Sequence, residues 1–338
     1  MELDARGNAA FLPRLEAIRG YAAVSVLAFH ACMLSWDMVA GGMAPVVVFF
    51  VLSGFLLARS LDRDPDPVRF VRHRLFRLLP AAIATVFLLT LLYRSFGFYV
   101  GFRPSFDPLN VVLNALLIKS DINGVMWSLT VECVAIPVIL LSHALLRQHS
   151  TTPVWILVVV LLVISSWGPY VHLLGGFTNL APLYAFIVGL LVQAGGTTLT
   201  DALRPSRLTA IAAAALVVMV VVAVRKQTAV TIAFETICAA LIVCFAAFGP
   251  GKLAALRPFD LDIARFYGRI SYSFYLLHMI GLVIATRLLP FEQPPVARAA
   301  TLFLAGLLIT TPAAWLMWRF IEVPFINLGR KRLAAKPA

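Results

Sequence analysis

The stretch "RGYAAVSVLAFHA", Arg19 to Ala31, has the composition of a membrane helix, yet a guanidinium opens it and an imidazole nearly closes it. An ionisable group held in hydrocarbon is costly unless it is neutralised, paired or set beside water, so the two residues need an explanation if the segment spans a bilayer. The rest of the chain indicates that it does. Of 338 residues, 61% are hydrophobic and only 13% charged, with a mean hydropathy of +0.91. That is more apolar surface than a soluble domain of this length can hide.

Ten apolar runs are each long enough, at about 1.5 Å per residue, to approach or cross a hydrocarbon core of about 30 Å. They cover 15–35, 43–60, 75–95, 126–146, 154–174, 178–194, 207–224, 229–248, 266–289 and 296–320. The expectation is an all-α polytopic bundle of about ten transmembrane helices. "LNVVLNALLI" (109–118) is too short to span and reads as interfacial or re-entrant. The first 14 residues mix acids, bases and Pro13, so the first span is expected to be retained rather than cleaved as a secretory signal.

Lysines and arginines set the orientation. With the amino terminus in the cytoplasm, inside segments hold twenty and outside segments seven, which predicts that both termini are cytoplasmic; Arg225 and Lys226 run against the trend. The same bias accounts for the net charge of +12 without a nucleic-acid partner. Cys32, Cys133, Cys238 and Cys244 all fall in apolar runs and read as small buried hydrophobes. Neither an internal repeat nor a low-complexity tract is evident. The expected organisation is one membrane domain over 1–338, with a transmembrane core at about 15–320, a basic cytoplasmic tail at 321–338 and no appended soluble domain.

Polar groups inside this framework are the candidates for chemistry. Arg19 and His30 lie about 16 Å apart along a regular helix axis. The histidine reads either as a neutral interhelical hydrogen-bonder or as a functional base, and the arginine as snorkelling or as an anion ligand. In "RFVRHRLFRLLP" (69–80), Arg69 with Arg72, and Arg74 with Arg77, are spaced to share a helical face. Cytoplasmic loops are often basic, but six arginines between Arg59 and Arg77 exceed the usual enrichment. Such forks suit a phosphate-bearing ligand. "MWSLTVECVAIP" (126–137) places Glu132 in the fourth span near Trp127 and Ser128. A carboxylate there needs a partner, and Arg19 or His30 is the expected one; on His30 it would fix the tautomer and raise the basicity. Ser53, Ser271, Tyr275 and His278 join Trp127 and Ser128 as substrate-facing or structural polar groups. Glu235 is a further buried acid without an evident partner, and no metal site is expected.

These segments together resemble the acyltransferase 3 family of membrane enzymes that O-acylate carbohydrates and other envelope molecules. "LEAIRGYAAVSVLAFHA" is similar to its first helix, "PVVVFFVLSGFLL" to its second, and "RLFRLLP" carries its R-x-x-R signature. "WSLTVE", "ISYSFYLLH" and "RFIEVPF" follow in the family's order. The resemblance implies that Arg19 and His30 form the essential Arg/His motif, that Arg74 and Arg77, with Arg69 and Arg72 beside them, hold the acyl donor, and that Glu132 is the acid of the fourth helix. It further implies acyl-CoA, acetyl-CoA above all, as donor substrate with no permanently bound cofactor, and a carbohydrate or other envelope hydroxyl as acceptor. The setting it implies is a bacterial inner membrane; a protein partner or homodimer is left open. The sequence departs from the family in "CVAIP" after the glutamate, where aromatics are frequent, and in lacking the hydrolase-like extracytoplasmic domain that many members carry. The rival reading is a proton-coupled transporter or flippase built on the same buried ionisable groups, which the absence of repeat symmetry disfavours.

Overall fold

The computed structural model describes residues 12–36, 42–101, 104–167, 170–173, 176–180, 182–251, 253–289 and 293–331. It is a bundle of helices: α1 Pro13–Trp36, α2 Ala44–Arg63, α3 Pro67–Phe96, α4 Pro108–Ala115, α5 Trp127–Gln148 and α6 Thr152–Trp167. After a short antiparallel hairpin, β1 Tyr170–Leu173 with β2 Gly176–Asn179, come α7 Leu183–Asp201, α8 Pro205–Ala223, α9 Ala229–Phe248, α10 Asp262–Leu288, α11 Pro295–Met317 and α12 Val323–Lys331. Among the described residues nine helical segments are long and apolar enough to cross a membrane. The tenth expected run is helical only over the 16 residues of α6, before the chain turns into the hairpin.

Two expected boundaries move. Asp66 caps α3 through the backbone N–H groups of Val68 and Arg69, and Pro67 occupies the first turn. The helix therefore begins at residue 67 instead of 75, and the whole arginine cluster is helical rather than part of a loop. At the other end, α11 passes through a π-helical turn at Trp318–Glu322 into α12, so much of the expected tail is a helix packed on α3. Residues 332–338 and 1–11 lie outside the described residues. Cys32 is exposed, against the expectation that every cysteine is buried, while Cys238 and Cys244 are buried as expected.

Contacts between chain-distant ends show which helix ends share a face. Arg14 at the start of α1 pairs with Asp260 at 2.7 Å and donates to the Gly251 carbonyl; the Arg14 guanidinium holds the Asp260 carboxyl below its ordinary value. Asp62 at the end of α2 accepts from His143 near the end of α5 at 2.9 Å, and Arg72 donates to the Gly329 carbonyl. The opposite side is partly filled by the chain between α4 and α5, where Ile122, Asn123 and Met126 have no exposed surface. Asn123 donates to the Leu276 carbonyl in the middle of α10. The expected short run at 109–118 forms α4 and the turn after it, and it is the following residues, 122–126, that enter the bundle, with the Asn123 amide group held by α10.

Glycines set the closest helix approaches. A Cβ on Gly20 would meet the Ala264 carbonyl oxygen, and one on Gly268 the Glu16 carbonyl oxygen, where α1 and α10 cross. Gly54 and Gly189 do the same for α2 and α7, allowing backbones to touch as small residues do in membrane bundles. Gly268→Ala should therefore destabilise the protein by about 1–3 kcal/mol. Gly195→Ala on α7, where an added methyl meets nothing, should be neutral or stabilising. Thermal unfolding of the purified protein in detergent checks both.

Candidate active site

The stripe Phe70, His73, Arg74, Arg77 and Leu78 on α3 faces a cavity of about 330 Å³. Its period is that of one helix face. Arg19 enters from α1, Phe49, Ser53 and Ser60 from α2, Ser128 and Glu132 from α5, Ser271, Tyr272 and Tyr275 from α10, and Arg330 from α12. Ser60, His73 and Arg330 stand toward the face that carries Asp62, Arg72 and Gly329, so that end of the cavity is rich in cations.

Glu132 is paired, but not with the expected partners. Arg74 forms a short ion pair with its Oε1, and the Ser53 hydroxyl donates to the same oxygen at 2.7 Å. Arg74 reaches Glu132 because α3 is already helical there and the side chains of α3 and α5 meet across the cavity. His30 makes no hydrogen bond to Glu132; its Nδ1 contacts the Val26 carbonyl and the ring of His278. Arg19 lies within the electrostatic field of Arg77, Glu132 and Glu322 without a direct ion pair to Glu132. Glu322, at the π-helical turn, is buried and accepts from Ser273 at 3.0 Å. Four arginines, Arg19, Arg74, Arg77 and Arg330, thus line the cavity with Glu132, and Glu322 stands close by, so guanidinium groups outnumber carboxylates.

Other candidates divide. Ser128 donates to the Tyr275 hydroxyl, which donates to the Val125 carbonyl, both at 2.9 Å. Ser271 lines the cavity with a buried hydroxyl that has no hydrogen-bond partner. Trp127 is not part of the lining and instead packs edge-on against Phe50. Arg69 is engaged by Asp64 at 2.7 Å, and Arg72 by the Gly329 carbonyl, so neither reaches the cavity. His30 and His278 lie beyond its lining, behind a cluster in which Val26, Val125 and Tyr275 pack with Phe49 and Met279. Glu235 is buried on α9 with Oε2 unpartnered, apart from the cavity.

Sequence reasoning missed Tyr272, Phe49, His73, Arg330 and Glu322. The i, i+3, i+4 spacing of Phe70, His73 and Arg74 could have indicated His73, but the basic carboxy-terminal run was read only as a topology signal. Nothing in the sequence brings Arg330 back onto α3; that contact needs the turn at Trp318–Glu322.

The model of the acyltransferase 3 family, an acyltransferase domain, matches residues 12–319. BcsY of Komagataeibacter xylinus, named as a membrane-bound transacylase, is 44% identical over 78 residues, covering 22% of this chain and 19% of BcsY. YrhL of Bacillus subtilis, named as a peptidoglycan O-acetyltransferase, is 36% identical over 83 residues, 23% of this chain and 13% of YrhL. The O-acetyltransferase OatA of Staphylococcus aureus is 31% identical over 93 residues, 25% of this chain and 15% of OatA. The aligned segments therefore span less than a fifth of these relatives. No solved structure matches the chain significantly.

Glu132→Leu should cost about 3–5 kcal/mol, because it leaves the Arg74 guanidinium buried and unpaired. Adding Arg74→Met should recover most of that loss. Unfolding midpoints of the single and double variants in detergent check the coupling, and strictly additive effects would show that the two groups act independently.

Proposed function

The chain belongs to the acyltransferase 3 family, and from that premise we propose that it is an integral membrane O-acyltransferase that moves an acyl group, acetyl in the simplest case, from cytosolic acyl-CoA to a hydroxyl of a carbohydrate or other envelope acceptor. The observation that carries this reading is the cavity: four arginines that outnumber the carboxylates, opening toward a cationic helix face and adjoining the His30–His278 pair. With both termini in the cytoplasm, as the charge bias predicts, that face looks into the cytosol, where acyl-CoA is found.

Phosphates of the donor bind at the basic end, where Arg330 and His73 add to Arg74 and Arg77; guanidinium groups offer the forked donors that phosphate oxygens accept. Arg19 belongs with the donor. It shares the cavity with Arg77, while His30 stands about 16 Å further along the helix. The pantetheine arm runs inward along α3 and α10, with the free Ser271 hydroxyl available to its amides. Phe49 and Tyr275, with ring centroids 6.1 Å apart, flank the inner wall that separates this path from His30. The thioester passes them to reach the imidazole.

At that point His30 acts as general base. The acceptor oxygen attacks the acyl carbon and its proton passes to the imidazole. The new C–O bond forms, the C–S bond breaks, and the imidazolium returns the proton to the departing thiolate. The acceptor enters from the opposite side, where the re-entrant segment between α4 and α5 meets α10. The names of the relatives support an O-acetyl product on an envelope glycan.

The test is transfer of label from acetyl-labelled coenzyme A into envelope carbohydrate by membranes holding the protein. His30→Ala should lower transfer by about 10²–10⁴-fold with donor binding retained; undiminished transfer would remove His30 from the base role. Arg77→Gln should weaken donor affinity by roughly tenfold or more, the loss expected for one charged hydrogen bond. An unchanged donor affinity would return the arginine stripe to a topological role.

A further inference from the structure

Hydrogen-bond geometry at the histidine pair assigns the protons. His278 is fully buried on α10, with Nδ1 2.6 Å from the Tyr275 carbonyl oxygen. A carbonyl only accepts, so Nδ1 carries the hydrogen and Nε2 keeps the lone pair. That Nε2 lies 3.3 Å from Nδ1 of His30, which also stands 2.9 Å from the Val26 carbonyl oxygen. One nitrogen facing two acceptors must be the donor. His30 therefore holds its hydrogen on Nδ1, shared between Val26 and His278, and Nε2 is left as its basic nitrogen.

We propose that His278 is the positioning residue of this site: the Val26 carbonyl already holds the hydrogen of His30 on Nδ1, and by accepting that same hydrogen from α10 His278 fixes the orientation of the ring, so that Nε2 stands free to take the acceptor's proton. The logic is that of the carboxylate behind the histidine of a hydrolase, which holds ring and tautomer and stabilises the imidazolium without taking the proton itself. A neutral imidazole suits this location because it supplies an acceptor without placing another permanent charge in the bilayer. When the hydroxyl proton moves to His30 Nε2, both ring nitrogens of His30 carry hydrogen, and Nδ1–H still points at the His278 lone pair. The proton leaves from Nε2 to the thiolate, and His278 stays neutral throughout. Tyr275 holds His278 in turn through its carbonyl, while its hydroxyl is tied to Val125 and Ser128.

The inference rests on His30 being the base in the proposed transfer, and the experiment separates the two. His278→Leu removes the acceptor; His278→Gln keeps an oxygen near the position of Nε2. In the labelled acetyl-CoA assay, His278→Leu should lower kcat by roughly 10- to 100-fold, as loss of an orienting partner does, with KM for the donor within about twofold. His278→Gln should recover most of the rate. Equal losses in the Leu and Gln variants, or a Leu variant with the parent's kcat, would overturn the positioning role. If His30→Ala retains full transfer, it is the base assignment that falls.

A second measurement does not depend on turnover. In ¹⁵N-histidine spectra of the purified protein, His30 should be Nδ1-protonated in the parent and in both variants, because the Val26 carbonyl remains, and its Nδ1–H proton should lose deshielding in His278→Leu and regain it in His278→Gln. An Nδ1–H signal unmoved by the Leu substitution, or an Nε2-protonated His30 in the parent, would overturn the assignment.

Discussion

Burying the Arg74–Glu132 pair is the interaction that the site depends on. Two charges taken from water into a membrane bundle are tolerated only if each finds the other and their remaining hydrogen-bonding groups are met. Ser53 contributes to that satisfaction from a third helix, so α2, α3 and α5 are tied at one level of the bundle. The cavity exists because these helices are held around polar groups rather than collapsed on one another. Glu322 provides a second negative charge near Arg77 and Arg19 from the turn at the end of α11. The π-helical geometry there is a local irregularity of the kind often found at functional sites, and it also redirects the chain so that α12 lies on α3.

The second constraint is steric. α1 carries both Arg19 and His30, and its position against α10 is fixed where Gly20 and Gly268 let the two backbones touch. That crossing sets the relation of His30 to His278 and of Arg19 to Ser271 and Tyr272. The same two helices therefore carry part of the cavity lining and the His30–His278 pair, while the α2–α7 crossing at Gly54 and Gly189 anchors Ser53 in the same way. Close packing of small residues contributes to function here through registry, because one turn of slippage would separate groups that must stay within hydrogen-bond reach.

Hydropathy was enough to locate ten helices, because a bilayer demands long apolar runs and the demand is written in composition. The starts of those helices were less legible. Asp66 and Pro67 are a clear amino-terminal signal, but the arginines that follow lower the local hydropathy and hid the first two turns of α3. Individual site residues were legible where polarity contradicts its surroundings, as for Arg19, His30, Glu132 and Arg74. Their pairing was not. Spacing along a helix says which face a residue occupies but not which helix that face meets, so Glu132 was matched to α1 when α3 holds its partner. Arg69 and Arg72 belong to the same basic run as Arg74 and Arg77, yet they point off the stripe and are spent on Asp64 and Gly329.

Tyr275 links the two halves of the site more directly than the sequence suggests. Its side chain is part of the cavity wall, locked by Ser128 and the Val125 carbonyl, while its own backbone carbonyl accepts from His278. Cavity wall and His278 are thus fixed by one residue on one turn of α10. The ring is held by hydrogen bonds to Ser128 and Val125, and a rotation of that turn large enough to move the wall would also move the carbonyl that holds His278. The inner wall of the cavity and the placement of the His30–His278 pair therefore cannot be adjusted independently.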